Sequence, residues 1–331
     1  MSHPYYDDEG NGVPPDANPA NFAAHQDVMR KAYYSCISYV DDLIGQLIDT
    51  LDTLGAGNDT AIVFTGDHGW HTGEHVMWCK MSVLELGTRV PLIFRAPWIL
   101  KGDLAGRKSN ALAELVDLYP TLSELAGLTL PRGAGGADLG GVSLVPVMRG
   151  EVEQVKNATL SQFPRCYQNN SHHSGGKPGD EGNRTVSWES MSDCHWTDRN
   201  ALDFMGYKLR TANWSITSWQ RWNGETLRPI WGSDCGQLSE GNAGVGCFEL
   251  YDHIGDDGMA PAAFDDYENV NLAADPAHAV KLKEMLALLK ENVEKWITPW
   301  NGTTGVVVRG GGANELEYEM GNKDESGKWE L

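Results

Sequence analysis

The run Phe64-Thr65-Gly66-Asp67-His68-Gly69-Trp70-His71-Thr72-Gly73-Glu74-His75 gathers side chains that can do chemistry. A short apolar stretch ends, and a carboxylate and an imidazole follow at once. Asp67 and His68 offer one oxygen and one nitrogen, donor types that hold a divalent cation. Gly66 and Gly69 let the backbone turn sharply and approach a ligand. Thirteen residues after Asp67, Lys80 brings an ammonium group that can hold an oxyanion beside such a cation. Trp70, His71 and His75 share the loop and are candidates for substrate contact. Each has a plainer reading. An Asp-His-Gly tripeptide is often only a turn, Lys80 can be a solvated cation, and the imidazoles and indole can pack.

Position decides between these readings, so the flanking elements matter. Thr60-Ala61-Ile62-Val63-Phe64-Thr65 is β-rich and apolar and suits a strand buried on both faces, as in a parallel sheet. Ligands bind outside the carboxyl ends of such strands. Upstream, Tyr33, Ile37, Val40, Ile44, Leu47, Leu51 and Leu54 recur at intervals of 4, 3, 4, 3, 4 and 3, one stripe of an amphipathic helix from about Phe22 to Leu54. Downstream, Val90-Pro91-Leu92-Ile93-Phe94 reads as a second strand. Residues 111–127 read as a helix with Leu112, Leu115, Val116, Leu122 and Leu125 inward and a break at Pro120. This alternation is an α/β rhythm.

The texture changes further on. Tyr207 to Thr211 and Trp214 to Trp219 alternate across Ala212-Asn213 and predict an antiparallel hairpin. Cys247 to Tyr251 is a third strand, and Pro276 to Ile297 a closing helix with Pro276 in its first turn. The expected organisation is an irregular lead-in (1–20), an α/β unit (21–155), a smaller antiparallel-sheet and helix unit (156–300) with a polar insertion at 166–200, and a weakly ordered tail (301–331).

Composition narrows the partners. The 331 residues carry a formal net charge of −20, which argues against nucleic acid and against anionic membranes as partners. A local field of opposite sign in a cleft remains compatible with an anionic substrate. No stretch is long and apolar enough to span a bilayer, and the first residues lack the basic and apolar regions of a signal peptide. Yet Asn58, Asn157, Asn169, Asn183, Asn213 and Asn301 all begin Asn-X-Ser/Thr sequons, against about two expected by chance. That suggests the secretory pathway. Six cysteines without a CxxC are not a zinc site or a disulfide scaffold. Cys235 and Cys247 either close a loop or stay free thiols, and Cys36 and Cys79 read as free. His172-His173 and Cys194-His195 lack the spacing of a second metal site.

The stretch from Tyr33 to Pro97 resembles the sulfatase family. The resemblance rests on Thr65-Gly66-Asp67-His68-Gly69-Trp70, Gly73-Glu74-His75, Trp78 and Lys80, then Val90-Pro91-Leu92-Ile93-Phe94. It runs on more loosely through Ser161 to Arg165, Met205 to Thr211, Glu249 to Asp252 and Glu268 to Leu272. It implies an alkaline-phosphatase-like α/β core with a smaller antiparallel-sheet domain. It further implies metal-dependent hydrolysis of sulfate esters on sugars or glycosaminoglycans, by a formylglycine and one Ca²⁺. By position Asp67 and His68 correspond to metal ligands and Lys80 to a sulfate contact. The intact enzyme is then expected to be lysosomal or secreted.

The departure from the family is equally definite. The nucleophile motif Cys/Ser-X-Pro-X-Arg occurs nowhere in the chain; Ser2-His3-Pro4 lacks the Arg. Asp7-Asp8 in a Pro-rich coil and Asp41-Asp42 within a helix do not replace the family's early Asp-Asp metal pair. The chain therefore reads as the C-terminal portion of a sulfatase, inactive alone, with formylglycine in a missing N-terminal part. That reading predicts an uncovered sheet edge or face. A non-catalytic, sulfated-carbohydrate-binding remnant is the alternative. A phosphodiesterase or phosphomutase of the same superfamily would need a Thr or Ser nucleophile and further His/Asp ligands.

Overall fold

The computed structural model describes residues 5–6, 12–13, 19–130, 140–165, 200, 202, 204–232, 247–256 and 266–297. In chain order the strands β1 (Tyr5–Tyr6) and β2 (Gly12–Val13) precede helix α1 (Pro19–Thr53). Then come β3 (Ile62–Thr65), β4 (His71–Thr72), β5 (Trp78–Cys79), α2 (Glu85–Thr88) and β6 (Leu92–Arg95). Helices α3 (Leu118–Leu125) and α4 (Val145–Met148) lead to β7 (Thr159–Arg165), β8 (Phe204–Arg210), β9 (Trp214–Asn223), β10 (Arg228–Ile230) and β11 (Phe248–Asp252). Helix α5 (Ala279–Ile297) is the last described element. Apart from Asn200, the expected 166–200 insertion lies outside the described residues, as does the 301–331 tail.

Helix α1 begins earlier than the periodicity suggested and ends where Gly55, at φ 72°, takes the left-handed conformation. The amides of Gly55 and Ala56 then return to the carbonyls of Asp52 and Leu51, satisfying the helix end. The stripe is helical as expected, but it is not covered. Ile37, Val40 and Leu47 are exposed, Leu47 at 67%.

Strand β3 departs from expectation in two ways. It pairs antiparallel with β6, in register Ile62↔Arg95 to Thr65↔Leu92, not parallel. None of its residues is fully buried, and Phe64 and, opposite it, Ile93 face solvent. A parallel pairing needs a long crossover, usually a helix. Here the intervening chain is spent on the β4–β5 ribbon and the single turn of α2, so it returns from the same end.

The 111–127 segment is shorter as a helix than expected. Pro120 has no amide to give, so the α-helix starts just before it, after a 3₁₀ turn at Leu115–Asp117. Glu114 and Asp117 form a reciprocal capping box there. The inward set becomes Pro120, Thr121, Ser123 and Leu125, while Leu115, Val116 and Leu122 are exposed.

The second half follows the sequence closely. A five-stranded antiparallel sheet runs β10-β9-β8-β7, with β11 also on β9. On the edge away from β8, the ten-residue β9 serves two partners, β11 along Trp214 to Ser218 and β10 along Arg221 to Asn223. Strand alternation splits β8 and β9 into two chemistries. Met205, Tyr207, Leu209 and Ile216 pack on Met285, Leu289, Val293 and Ile297 of α5. Lys208, Arg210, Ser215 and Thr217 are also buried, and these polar side chains occupy the other face. Asp275 caps the entry to α5 by accepting from the Ala277 amide, with Pro276 at the first position. Cys247 is disulfide-bonded, Cys36 and Cys79 are free, and the Cys235 pairing lies outside the described residues.

Candidate functional site

Strand β3 ends at Thr65, and the chain turns through Gly66 to Asp67 and His68. The His68 imidazole is oriented by its own backbone: Nδ1 lies 2.9 Å from the Gly69 carbonyl oxygen and donates its proton there. This tautomer leaves the Nε2 lone pair open. The Lys80 ammonium donates to it at 2.7 Å, and an Asp67 carboxylate oxygen lies 3.3 Å from the same nitrogen. Asp67 is largely exposed, at 86% for its side chain, and His68 partly so. Carboxylate, imidazole and ammonium therefore converge on one accessible point.

Lys80 reaches that point because the loop between is heavily tied. Strands β4 and β5 pair His71↔Cys79 and Thr72↔Trp78. Gly73 at φ 113° and His75 at φ 55° form the bend, and Cys79 is also left-handed at φ 68°. Two non-glycine residues at positive φ mark stored strain next to Lys80. Glu74 folds back to accept from the Thr72 amide at 2.6 Å and the Thr72 hydroxyl at 2.8 Å. Burial alone would raise its pKa, but these bonds and Arg30 hold it below the usual carboxylate range. Arg30 of α1 donates to the Thr72 carbonyl at 2.8 Å, fixing the ribbon to the helix.

The remaining expected contacts divide. Trp70 stacks on His68 with ring centroids 6.3 Å apart and on Tyr33 at 6.2 Å, so it flanks the site. His75 meets His71 edge-on at 6.1 Å. His71 departs from the expectation of a substrate contact. The β4–β5 pairing turns it inward, where it is fully buried with Nε2 2.7 Å from the Ser82 hydroxyl and Nδ1 without a partner among the described residues. Burial first, then the neighbouring His75, push its pKa down to about 4. It is a neutral packing group behind the loop. Burial also raises the Cys79 thiol, with Lys80 only partly offsetting it, so Cys79 is not an activated thiolate.

Could this set hold a metal ion? Nε2 of His68 and the Asp67 carboxylate are suitable donors, oriented by the Nδ1–Gly69 bond as metal-binding imidazoles are. Among the described residues no group of three or more His, Cys, Asp or Glu is arranged to hold a metal ion. Two donors fit one side of a hard cation that takes about six to eight oxygens, with Lys80 already on the imidazole lone pair.

Sequence reasoning missed Ser82, Glu85 and Gly87 behind the site. The Gly69 amide donates to the Gly87 carbonyl at 3.0 Å, and Ser82 holds both His71 and the Leu84 amide. Nothing in a single sequence signals such support; a glycine and a serine look like ordinary turn residues.

The sulfatase family model matches residues 2–128, a span that includes Asp67, His68 and Lys80. Human iduronate 2-sulfatase is 39% identical over 140 residues, covering 36% of this chain and 25% of that enzyme. Choline-sulfatase of Rhizobium meliloti is 42% identical over 121 residues, covering 37% and 22%. The chain thus spans about a quarter of the length of the curated sulfatases it matches. Among solved structures, a phosphonate monoester hydrolase of Agrobacterium radiobacter shares the fold at a TM-score of 0.56 and 22% identity, over 86% of this chain and 44% of that one. A second, solved with its substrate D-glucosamine-2-N,6-O-disulfate, gives 0.52 and 23%, over 80% and 40%. These likenesses show that the fold is shared with both enzymes, over more of the chain than the residues the family model matches.

Proposed function

We propose that Asp67, His68 and Lys80 form the cation- and anion-holding side of a sulfuric ester hydrolase site for sulfate esters of sugars. The observation that carries this is the 2.7 Å approach of the Lys80 nitrogen to His68 Nε2 across twelve residues. A cation beside an ammonium is the pairing that a tetrahedral sulfate oxyanion needs as charge builds on its oxygens. Attack at sulfur moves negative charge onto the equatorial and leaving oxygens. Lys80 would neutralise part of it, and Asp67 and His68 would hold the divalent cation, Ca²⁺ in this proposal, that neutralises the rest. Trp70, stacked and partly exposed, offers a flat apolar wall for a sugar ring, with His75 at the rim of the loop. His71 supports the loop from behind.

The chain itself carries no Cys/Ser-X-Pro-X-Arg, so we propose that it binds and does not turn over, formylglycine belonging to sequence outside these residues. The absent motif also favours the second reading, a sulfatase-like binding protein without catalysis. Asn58, Asn157 and Asn213 are exposed, which supports glycosylation in the secretory pathway. No helix among the described residues is long and apolar enough to cross a membrane.

The test is sulfate binding by calorimetry with and without Ca²⁺, alongside aryl sulfate hydrolysis. We expect weak sulfate binding, strengthened by Ca²⁺ and reduced roughly tenfold in Lys80→Ala, as befits loss of one charged hydrogen bond. Hydrolysis should be absent. Sulfate affinity indifferent to Lys80 would sink the site, and Lys80-dependent turnover would sink the binding-only reading.

A further inference from the structure

Behind the site lies a buried ionic network that the proposed chemistry does not use. Glu85 and Arg89 bracket α2. Lys208 and Arg210 come from β8, Ser215 from β9, His253 and Asp256 from the segment after β11, and Glu268 from the turn before α5. Glu85, Lys208, Arg210, Ser215, His253 and Glu268 are all buried. Glu268 is the hub. Its carboxylate accepts from the Glu85 backbone amide at 2.6 Å, from the Ser215 hydroxyl at 3.2 Å and from the Lys208 ammonium. Lys208 also lies 3.3 Å from the Glu85 carboxylate. Asp256 binds Arg89 at 2.9 Å, Arg210 at 3.0 Å and Nδ1 of His253 at 3.1 Å. Three carboxylates thus meet three permanent cations and the His253 imidazole. Burial opposes the charge on Glu268, but Lys208 and the bond from His253 outweigh it and keep the carboxylate ionised.

The network joins one polar face of the antiparallel sheet to a single short helix. That helix in turn holds the site. Gly87 of α2 accepts from the Gly69 amide, next to His68, and the turn leading into α2 starts at Lys80, whose carbonyl accepts from the Ser82 amide at 2.7 Å. A replacement carried out purely for stability would favour apolar residues, because buried ion pairs rarely outdo well-packed hydrophobes. What charged groups add is a unique geometry, since each lone pair and proton must find its partner.

We propose that Glu268 and Lys208 are positioning residues: they clamp α2 against the antiparallel sheet, and α2 thereby sets His68 and Lys80 opposite one another. The role rests on the anion-site reading for its purpose. The measurement chosen reads geometry alone, so failure of either is told apart from failure of the other.

The experiment is amide hydrogen exchange by mass spectrometry on the full chain, comparing peptides covering 66–72 and 82–89 with those of β8 and β9. In Glu268→Gln we expect exchange at 66–72 and 82–89 to quicken roughly tenfold, the scale of one charged hydrogen bond, while the β8–β9 core stays protected. Arg89→Gln, at the half-exposed edge of the network, should loosen the same two segments less. The decisive variant is Lys208→Met with Glu268→Met, which removes both charges and keeps side-chain bulk. Thermal stability should return toward the parent while residues 66–72 remain fast. Full recovery of protection at 66–72 in the double variant would reduce the network to stability alone and overturn the proposal. Unchanged exchange there in all three variants would overturn it as well.

Discussion

At the scale of single residues, one imidazole and one ammonium share a lone pair. His68 donates through Nδ1 to Gly69, so Nε2 can accept from Lys80 or bind a cation, but not both at once. Removing the ammonium should therefore move two affinities in opposite directions. In Lys80→Met we expect Ca²⁺ binding to strengthen roughly tenfold through loss of like-charge repulsion, while sulfate binding weakens. Calorimetric titration of each ion alone checks this; parallel changes would show that Lys80 does not share the point. His71 gives a second expectation. Its folded pKa is about 4 against 6.5 for the free side chain, so between those values the unfolded chain binds a proton that the folded chain refuses. Stability must then fall as pH drops from 6.5 to 4, by about 3 kcal/mol. Glu268, depressed below the carboxylate range, adds its own loss at still lower pH. Urea midpoints of His71→Phe should be flatter than the parent's across that window, and an identical slope would contradict the burial of a neutral imidazole.

At the scale of elements, the loop that carries the site is held by close backbone approach. A Cβ at Gly69 would overlap the carbonyl oxygen of Leu86 and press on that of Arg89. Both are backbone atoms with no rotamer to yield. Gly69→Ala should cost about 1–3 kcal/mol as an overpacked contact and separate the Gly69 amide from Gly87. Melting temperature reports the first effect, and loss of sulfate affinity in the still-folded variant reports the second. A neutral substitution would mean that the loop and α2 are not in contact in solution. By contrast, α5 depends on its own sequence: an Asp cap, a Pro at the first position and four inward apolar residues suffice to specify it.

At the scale of the whole molecule, apolar surface is unevenly distributed. The antiparallel sheet and α5 enclose a contiguous core, whereas α1 and the β3–β6 pair present Ile37, Val40, Leu47, Phe64 and Ile93 to solvent. Large apolar side chains left exposed in such number promote association. The purified chain should bind an environment-sensitive apolar dye and self-associate with rising concentration. Val40→Lys with Leu47→Lys should reduce both, by light scattering and dye fluorescence, without lowering helix content. A monodisperse chain that ignores the dye would show that this face is covered in solution.

Local pattern was enough for the amphipathic helix, the Tyr207–Trp219 hairpin and the closing helix, because period and turn chemistry are written in neighbouring residues. What neighbours cannot say is which strand pairs with which and in what direction. The antiparallel β3–β6 register, the open stripe of α1 and the inward turn of His71 depend on where the rest of the chain lies. So does the link from Glu268 to Glu85, 183 residues apart. Residue types, spacing and the family resemblance singled out Asp67, His68 and Lys80 as candidates. Only tertiary structure decided that Lys80 reaches His68, since that distance depends on two strained backbone positions and a short helix anchored from the far sheet.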